Sequence, residues 1–328
     1  MPQKFNALII GAGKIGAFFD LPKDKKILTH AHAYYNHPHF EIVGFVDSNY
    51  SQAQKASKIW GGRAYKNLSE AFVDKKIDVV SICVPDELHY SFLKELEKYS
   101  ILGGITEKPL TTSLKHSKEI INSRFYKKLP FVLNYTRRFL PQFQEIQSKI
   151  ISGKYGKFLG GNINYGKGLL HNGSHLIDLL NYFGLSVKKF STFWGINDFY
   201  KEDHSYSAIL ETESKAKINL NVFPAFYYRI FEMDLIFEKG RIKIIKDGFE
   251  IEEYAVENDD VFKGYKVLRL VKIYHTDLKS SLSYTLENLY GSIVYGEKVL
   301  CTLYDGYEVQ NTCEKIKNRK SNANGSKK

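Results

Sequence analysis

An apolar run, Phe5–Ile10, ends directly in Gly11-Ala12-Gly13-Lys14-Ile15-Gly16. This junction limits the fold more than any other feature of the chain. A buried strand that turns on GxGxxG into a helix is the opening of a parallel βαβ unit, and each glycine has its own reason. Gly11 permits the tight turn, Gly13 lets the backbone approach a pyrophosphate, and Gly16 allows helix and strand to pack closely. The helix, expected to start near Lys14, would offer amide groups and a partial positive charge to the phosphates. Gly11, Gly13, Lys14, Ile15 and Gly16 are therefore candidate dinucleotide contacts. A second apolar run, IVGFVD, ends in Asp47, where a carboxylate can bond the ribose hydroxyls of NAD and repel the extra phosphate of NADP. Ser48 and Asn49 follow, with no arginine to greet that phosphate, so NAD is the expected cofactor and NADP the less favoured one. Asp47 lies 31 residues beyond Gly16, where about 20 is usual. The excess maps to Leu21–Thr29, read as a solvated loop or a lid.

The rhythm continues to residue 133. Strands at Ile42–Val46, Val79–Val84, Gly104–Thr106 and Pro130–Leu133 alternate with helices at Gln52–Trp60, Leu88–Lys98 and Ser113–Arg124, and Ser69 is expected to cap a short helix. Alternation of this kind predicts a doubly wound parallel sheet. Beyond residue 134 the pattern changes. Helices at Gln142–Ser152 and His175–Phe183 precede consecutive strand-like runs: Val187–Trp194, Tyr206–Glu211, Ala216–Val222, Tyr228–Phe237, Arg241–Ile245 and Phe249–Ala255. Strands without intervening helices predict a mainly antiparallel sheet. Helices return near Leu282–Tyr295 and after Thr302. The expected organisation is an α/β chain with a Rossmann domain over 1–133, an α+β domain over 134–315, and a basic flexible tail over 316–328.

The 328 residues suffice for two cores, since single cores stop growing near about 250–300 residues. No apolar run is long enough to span a bilayer, and the apolar start runs into the glycine motif instead of a cleavage site. Three cysteines without CxxC spacing suggest neither a disulfide framework nor zinc, and the expected compartment is the cytoplasm. The net charge of +11 is spread along the chain and concentrates only in the last stretch, which argues against nucleic acid and for an anionic small molecule.

Two further segments carry chemistry. In Glu107-Lys108-Pro109, after a short strand, a lysine in a partly desolvated cleft can polarise a substrate oxygen or give it a proton; alone, it also reads as a surface lysine beside a proline. In His171-Asn172-Gly173-Ser174-His175-Leu176-Ile177-Asp178, the polar residues at 171, 175 and 178 share one side if the helix extends back far enough. His175 could act as acid/base with Asp178 as orienter, and no metal is expected because nothing carboxylate-rich completes a ligand set. Arg137 or Arg138 could hold an anionic part of a substrate or form surface ion pairs, while Tyr135 and Tyr165 are candidate sugar contacts.

Taken in order, GAGKIG, HAHAY followed by Pro38, VGFVD, SICVPDELHYSFLKE, TEKPL, NYTRRFLP, GSHLIDLL and FEKGRIKI resemble the Gfo/Idh/MocA family of NAD(P)-dependent oxidoreductases over roughly residues 5 to 315. The resemblance implies hydride transfer between nicotinamide and a sugar-like alcohol carbon, a carbohydrate substrate, and a homodimer or homotetramer. It assigns Lys108 and His175 as acid/base groups. Asp178 becomes the acid closing the family helix, Pro109 a proline that is cis in relatives, and Pro85, Asp86 and His89 the stretch under the nicotinamide, with Glu107 beside it. Where many members carry an aspartate, this chain has His171, followed by Asn172. The alternatives are an NAD-binding regulator or scaffold with little turnover, and an enzyme that uses NAD without net redox change.

Overall fold

The run before the glycine motif is strand β1 (Phe5–Ile10), all but its first two residues buried. In the computed structural model, which describes residues 4–318, it pairs with strands that follow: β2 (Phe40–Val46), β3 (Arg63–Tyr65), β4 (Val79–Ile82), β5 (Gly103–Thr106) and β6 (Phe131–Leu133). The order is β3-β2-β1-β4-β5-β6 with every pair parallel. The chain thus winds one way from β1 to β3 and the other way from β4 to β6. That reversal opens a crevice beyond the carboxyl ends of β1 and β4, the place where such sheets bind ligands. Val79, Val80 and Ile82 are fully buried, each side chain worth about 1.5–3 kcal/mol of burial.

The connections are α1 (His30–Asn36), α2 (Tyr50–Trp60), α3 (Leu68–Asp74), α4 (His89–Leu96) and α5 (Leu114–Asn122). Two differ from expectation. The helix expected near Lys14 is a single wide turn, Lys14–Phe18, and the chain leaves it to re-enter as α1. The cap of α3 is Asn67, not Ser69: its side chain accepts the Glu70 amide at 2.9 Å while Glu70 accepts the Lys66 amide at 2.9 Å. Asn67 thus satisfies an orphan amide of the first turn and Glu70 ties down the residue before the cap, whereas Ser69 already lies inside the helix.

After α6 (Pro141–Ile151), strand β7 (Phe158–Tyr165) and helix α7 (Ser174–Tyr182) come β8 (Val187–Tyr200), β9 (Asp203–Thr212), β10 (Lys217–Val222), β11 (Phe231–Phe237), β12 (Gly240–Ile245), β13 (Glu250–Asn258) and β14 (Lys266–His275). They form a sheet ordered β14-β13-β12-β11-β7-β10-β9-β8, antiparallel except for the β7–β10 pair. Ile163 and Tyr165, Ile218 and Leu220, and Phe231, Met233 and Leu235 are buried on one face. Gly173 lies against that face, where a Cβ would come within 2.8 Å of the Tyr165 ring. The other face is polar: Asn219 donates to Asn162 at 2.9 Å, and Arg241 to Asp234 at 2.7 Å. Helices α8 (Ser281–Tyr295) and α9 (Leu303–Asn318) complete the described chain.

The compact units differ from a single cut at 133/134. The first runs to Phe139 and takes back Lys279–Tyr307; the second holds Leu140–Leu278 and resumes at Glu308. Residues 319–328 of the expected tail lie outside the described residues, whereas 316–318 belong to α9.

Candidate dinucleotide cleft and active-site residues

Each glycine of the turn meets a different environment. Gly11 has φ +97°, and a Cβ there would fall 2.6 Å from the Cys83 carbonyl oxygen. A Cβ on Gly16 would fall 2.1 Å from the Gly11 carbonyl oxygen, so only glycine packs at either position. At Gly13 a Cβ would meet nothing within 4 Å. That glycine is not required by the protein's own packing; its bare backbone faces open space. The turn is tied to the second strand: Asp47 accepts the Ala12 amide at 2.9 Å and the Asn49 amide at 2.8 Å.

These residues rim a cleft of about 430 Å³ lined by Gly11, Gly13, Asp47, Asn49, Lys66 and Pro85, among others. Lys14 is exposed and Ile15 half-buried beside it. Asp86 is half-buried, while His89 is fully buried with its ring between the carbonyl oxygens of Pro109, at 2.6 Å, and Val84, at 3.0 Å. His89 thus links the segment after β4 to the Pro109 peptide. The Lys108-Pro109 peptide is cis, and Lys108 is half-buried.

Next to Lys108, Glu107 accepts from Asn134 Nδ2 at 2.6 Å and lies 3.0 Å from His30 Nε2, whose other nitrogen is 3.1 Å from the Ser81 hydroxyl. Burial alone would raise the Glu107 carboxyl, but its bonds to His30 and Asn134, with the Lys108 charge, hold it below the usual carboxylate range. A charged, oriented carboxylate therefore stands beside the lysine. The long segment after the glycine turn is anchored too: buried Asp20 accepts the Leu28 amide at 2.5 Å and the Thr29 hydroxyl at 2.6 Å, and lies 2.9 Å from His32 Nδ1. Its base is fixed, while Lys23 to Lys26 are exposed.

In the second unit, the wide turn Leu169–Gly173 runs into α7, so the helix extends back through His171. His171 and His175 are both half-buried, and Asp178 is buried at 1% exposure. His175 lies edge-on to Phe231, ring centroids 6.4 Å apart. Asn172 donates to the Gly166 carbonyl at 2.8 Å. His171 Nδ1 is 3.0 Å from Asp203 Oδ2.

Three expected substrate residues are buried. Tyr165 is fully buried; its hydroxyl accepts the Tyr206 amide at 2.7 Å and donates to the Tyr206 carbonyl at 2.9 Å. Burial raises that phenol well above its ordinary range. Tyr135 is 2% exposed. Arg138 is 4% exposed and pairs with Asp305 at 3.0 Å and the Leu300 carbonyl at 3.1 Å, a link within the fold. Arg137 stays half-buried. Sequence reasoning missed Lys66, which follows the three-residue β3 that had no readable period, and Asp203, whose partner lies 32 residues away.

A doubly wound sheet with a glycine cleft at its switch point defines a Rossmann-type dinucleotide-binding protein. Residues 5–133 match the Gfo/Idh/MocA family model, described as an oxidoreductase family with an NAD-binding Rossmann fold. A D-glucoside 3-dehydrogenase of Escherichia coli (strain K12) is 30% identical over 153 residues, covering 45% of this chain and 40% of that protein. The chain spans less than half the length of the curated relatives it matches. Two solved structures share the fold over nearly the whole chain. UDP-N-acetylglucosamine 3-dehydrogenase from Acidithiobacillus ferrooxidans has a TM-score of 0.76 at 16% identity, covering 96% of this chain and 97% of that one. The WlbA dehydrogenase from Bordetella pertussis, solved with NADH and UDP-GlcNAcA, has a TM-score of 0.77 at 16% identity, covering 96% and 95%.

Proposed function

We propose that this protein is a sugar dehydrogenase or ketoreductase that uses NAD(H). The observation that carries the reading is the open backbone at Gly13 inside a cleft whose far wall holds Asp47. Gly13 leaves room for a pyrophosphate, and the Asp47 carboxylate, fixed by two amides, favours free ribose hydroxyls over a phosphorylated one. Bound there, the nicotinamide supplies the hydride acceptor or donor. The named activities of the relatives, a glucoside 3-dehydrogenase and a UDP-sugar 3-dehydrogenase, favour a sugar or sugar derivative as substrate.

The chain's own residues move the proton. Lys108 and His175 exchange the proton of the reacting hydroxyl as its carbon is oxidised or reduced, with His171 as a further acid/base group. Arg137 holds an anionic part of the substrate, such as a carboxylate or phosphate. Pro85, Asp86 and Glu107 lie along the cofactor. A cytoplasmic homodimer or homotetramer completes the reading. The test is turnover of Lys108→Ala on a panel of sugars, sugar acids and nucleotide sugars. Turnover is expected to fall by about 100-fold or more while NADH affinity stays within about twofold; unchanged turnover removes the lysine from the chemistry.

A further inference from the structure

The resemblance places an aspartate at position 171, and this chain has histidine there. A carboxylate reaches this position from another strand. Asp203 begins β9, immediately after the two-residue turn from β8, and its side chain reaches back beneath the turn at residues 168–171. Asp203 Oδ1 accepts the Leu170 amide at 3.0 Å, and Oδ2 accepts the His171 amide at 2.8 Å. The same Oδ2 is 3.0 Å from His171 Nδ1. The residue opposite Asp203 on the hairpin, Tyr200, stacks on the His171 ring with centroids 3.9 Å apart and planes 20° apart. One hairpin end therefore supplies both the carboxylate and the ring that fix a single imidazole.

The packing admits little variation. Gly168 has φ +83°, and a Cβ there would lie 2.2 Å from Asp203 Oδ2. The glycine is needed because the carboxylate occupies the space a side chain would take. Asp203 is 9% exposed as a side chain, against 32% for His171. Burying a carboxylate at this depth is costly unless it is hydrogen-bonded to saturation, and here two amides and an imidazole do so.

We propose that Asp203 is the positioning residue for His171. It holds the imidazole in the Nδ1–H tautomer, so that Nε2 is the nitrogen that takes up and returns a proton, and it offsets the charge of the imidazolium that forms. The pair stands in for the single aspartate of relatives and adds a proton carrier. The proposal rests on the sugar dehydrogenase reading only for the substrate that supplies the proton.

The test has two parts. In protein labelled with 15N-histidine, the His171 signals are identified by their loss in His171→Gln. The neutral ring is expected as the Nδ1–H form in the parent protein and as a mixture gaining the Nε2–H form in Asp203→Asn. This part needs no substrate, so a silent sugar panel sinks the functional reading without touching it. In the second part, Asp203→Asn is expected to lower kcat about tenfold or more with KM within about twofold, while adding Asp203→Asn to His171→Gln changes kcat less than about twofold. A His171 spectrum indifferent to Asp203→Asn, or an equal loss of kcat in both backgrounds, overturns the proposal.

Discussion

Gly13 and Gly16 are three residues apart and tolerate a methyl group in opposite ways. A Cβ on Gly16 collides with the Gly11 carbonyl oxygen at 2.1 Å, whereas one on Gly13 meets nothing. Gly16→Ala is expected to cost about 1–3 kcal/mol of stability through overpacking. Gly13→Ala is expected to leave stability within about 0.5 kcal/mol and to weaken NADH binding about tenfold or more, because its methyl fills the space kept for phosphate. Denaturant unfolding and calorimetric titration of both variants separate the two effects; normal NADH binding by Gly13→Ala would contradict the cofactor assignment. The glycine roles were legible because each follows from backbone geometry at a fixed spacing. Tyr135, Tyr165 and Arg138 were not, because a residue's type does not reveal its burial. Tyr165, a candidate sugar contact in sequence, is buried with its hydroxyl bonded to the Tyr206 backbone.

Elements were readable where one face is buried and the period is clear. Strand β4 is buried throughout and apolar but for Ser81, because both faces are covered. Strand β7 contains Gly160, Gly161 and two asparagines and shows no clear strand period, yet it lies mid-sheet, where a Cβ on Gly161 would come 2.4 Å from the Asp234 carbonyl oxygen. Strand β14 escaped for the opposite reason: as an edge strand exposed on both faces at Leu268, Leu270, Val271 and Ile273, it has no alternation to detect. Its one buried residue, Tyr274, joins a polar cluster on Glu253 of β13. Glu253 accepts from Lys149 and Tyr274 at 2.8 Å each, from Tyr155 at 2.8 Å, and from Lys154 at 2.9 Å. Burial would raise this carboxyl, but the four donors outweigh it and bring its pKa down from 4.5 to about 2. Because the folded value is depressed, the cluster's stabilisation is fully present above the unfolded value and is lost as pH falls from 4.5 towards 2. Glu253→Gln is therefore expected to be less stable at neutral pH by roughly 3–5 kcal/mol, and the gap to the parent protein should narrow through that acid range. Urea unfolding across pH measures it; a gap independent of pH would show that the charge is not what holds the cluster.

Over the whole chain, sequence order and compact unit part company. The segment Lys279–Tyr307 returns to the first unit, where Thr285 donates to Asn134 at 3.1 Å and His39 stacks on Tyr290 at 4.5 Å. No local pattern announces such a return, since its partners lie more than 150 residues earlier. The same limit hid Asp203 and left the substrate unread: specificity is built from side chains that only folding brings together. In β9 and β10, Leu210, Ile218 and Leu220 point into the core, while Glu211, Asn219 and Asn221 take the other face. What the chain declared openly was its cofactor cleft, and the account stands on it. A crystal structure of the protein soaked in NADH tests that claim directly. The pyrophosphate is expected over Gly13, with the adenosine ribose hydroxyls about 3 Å from the Asp47 carboxylate. A vacant cleft at saturating NADH, or a dinucleotide bound away from Gly11–Gly16, would contradict it.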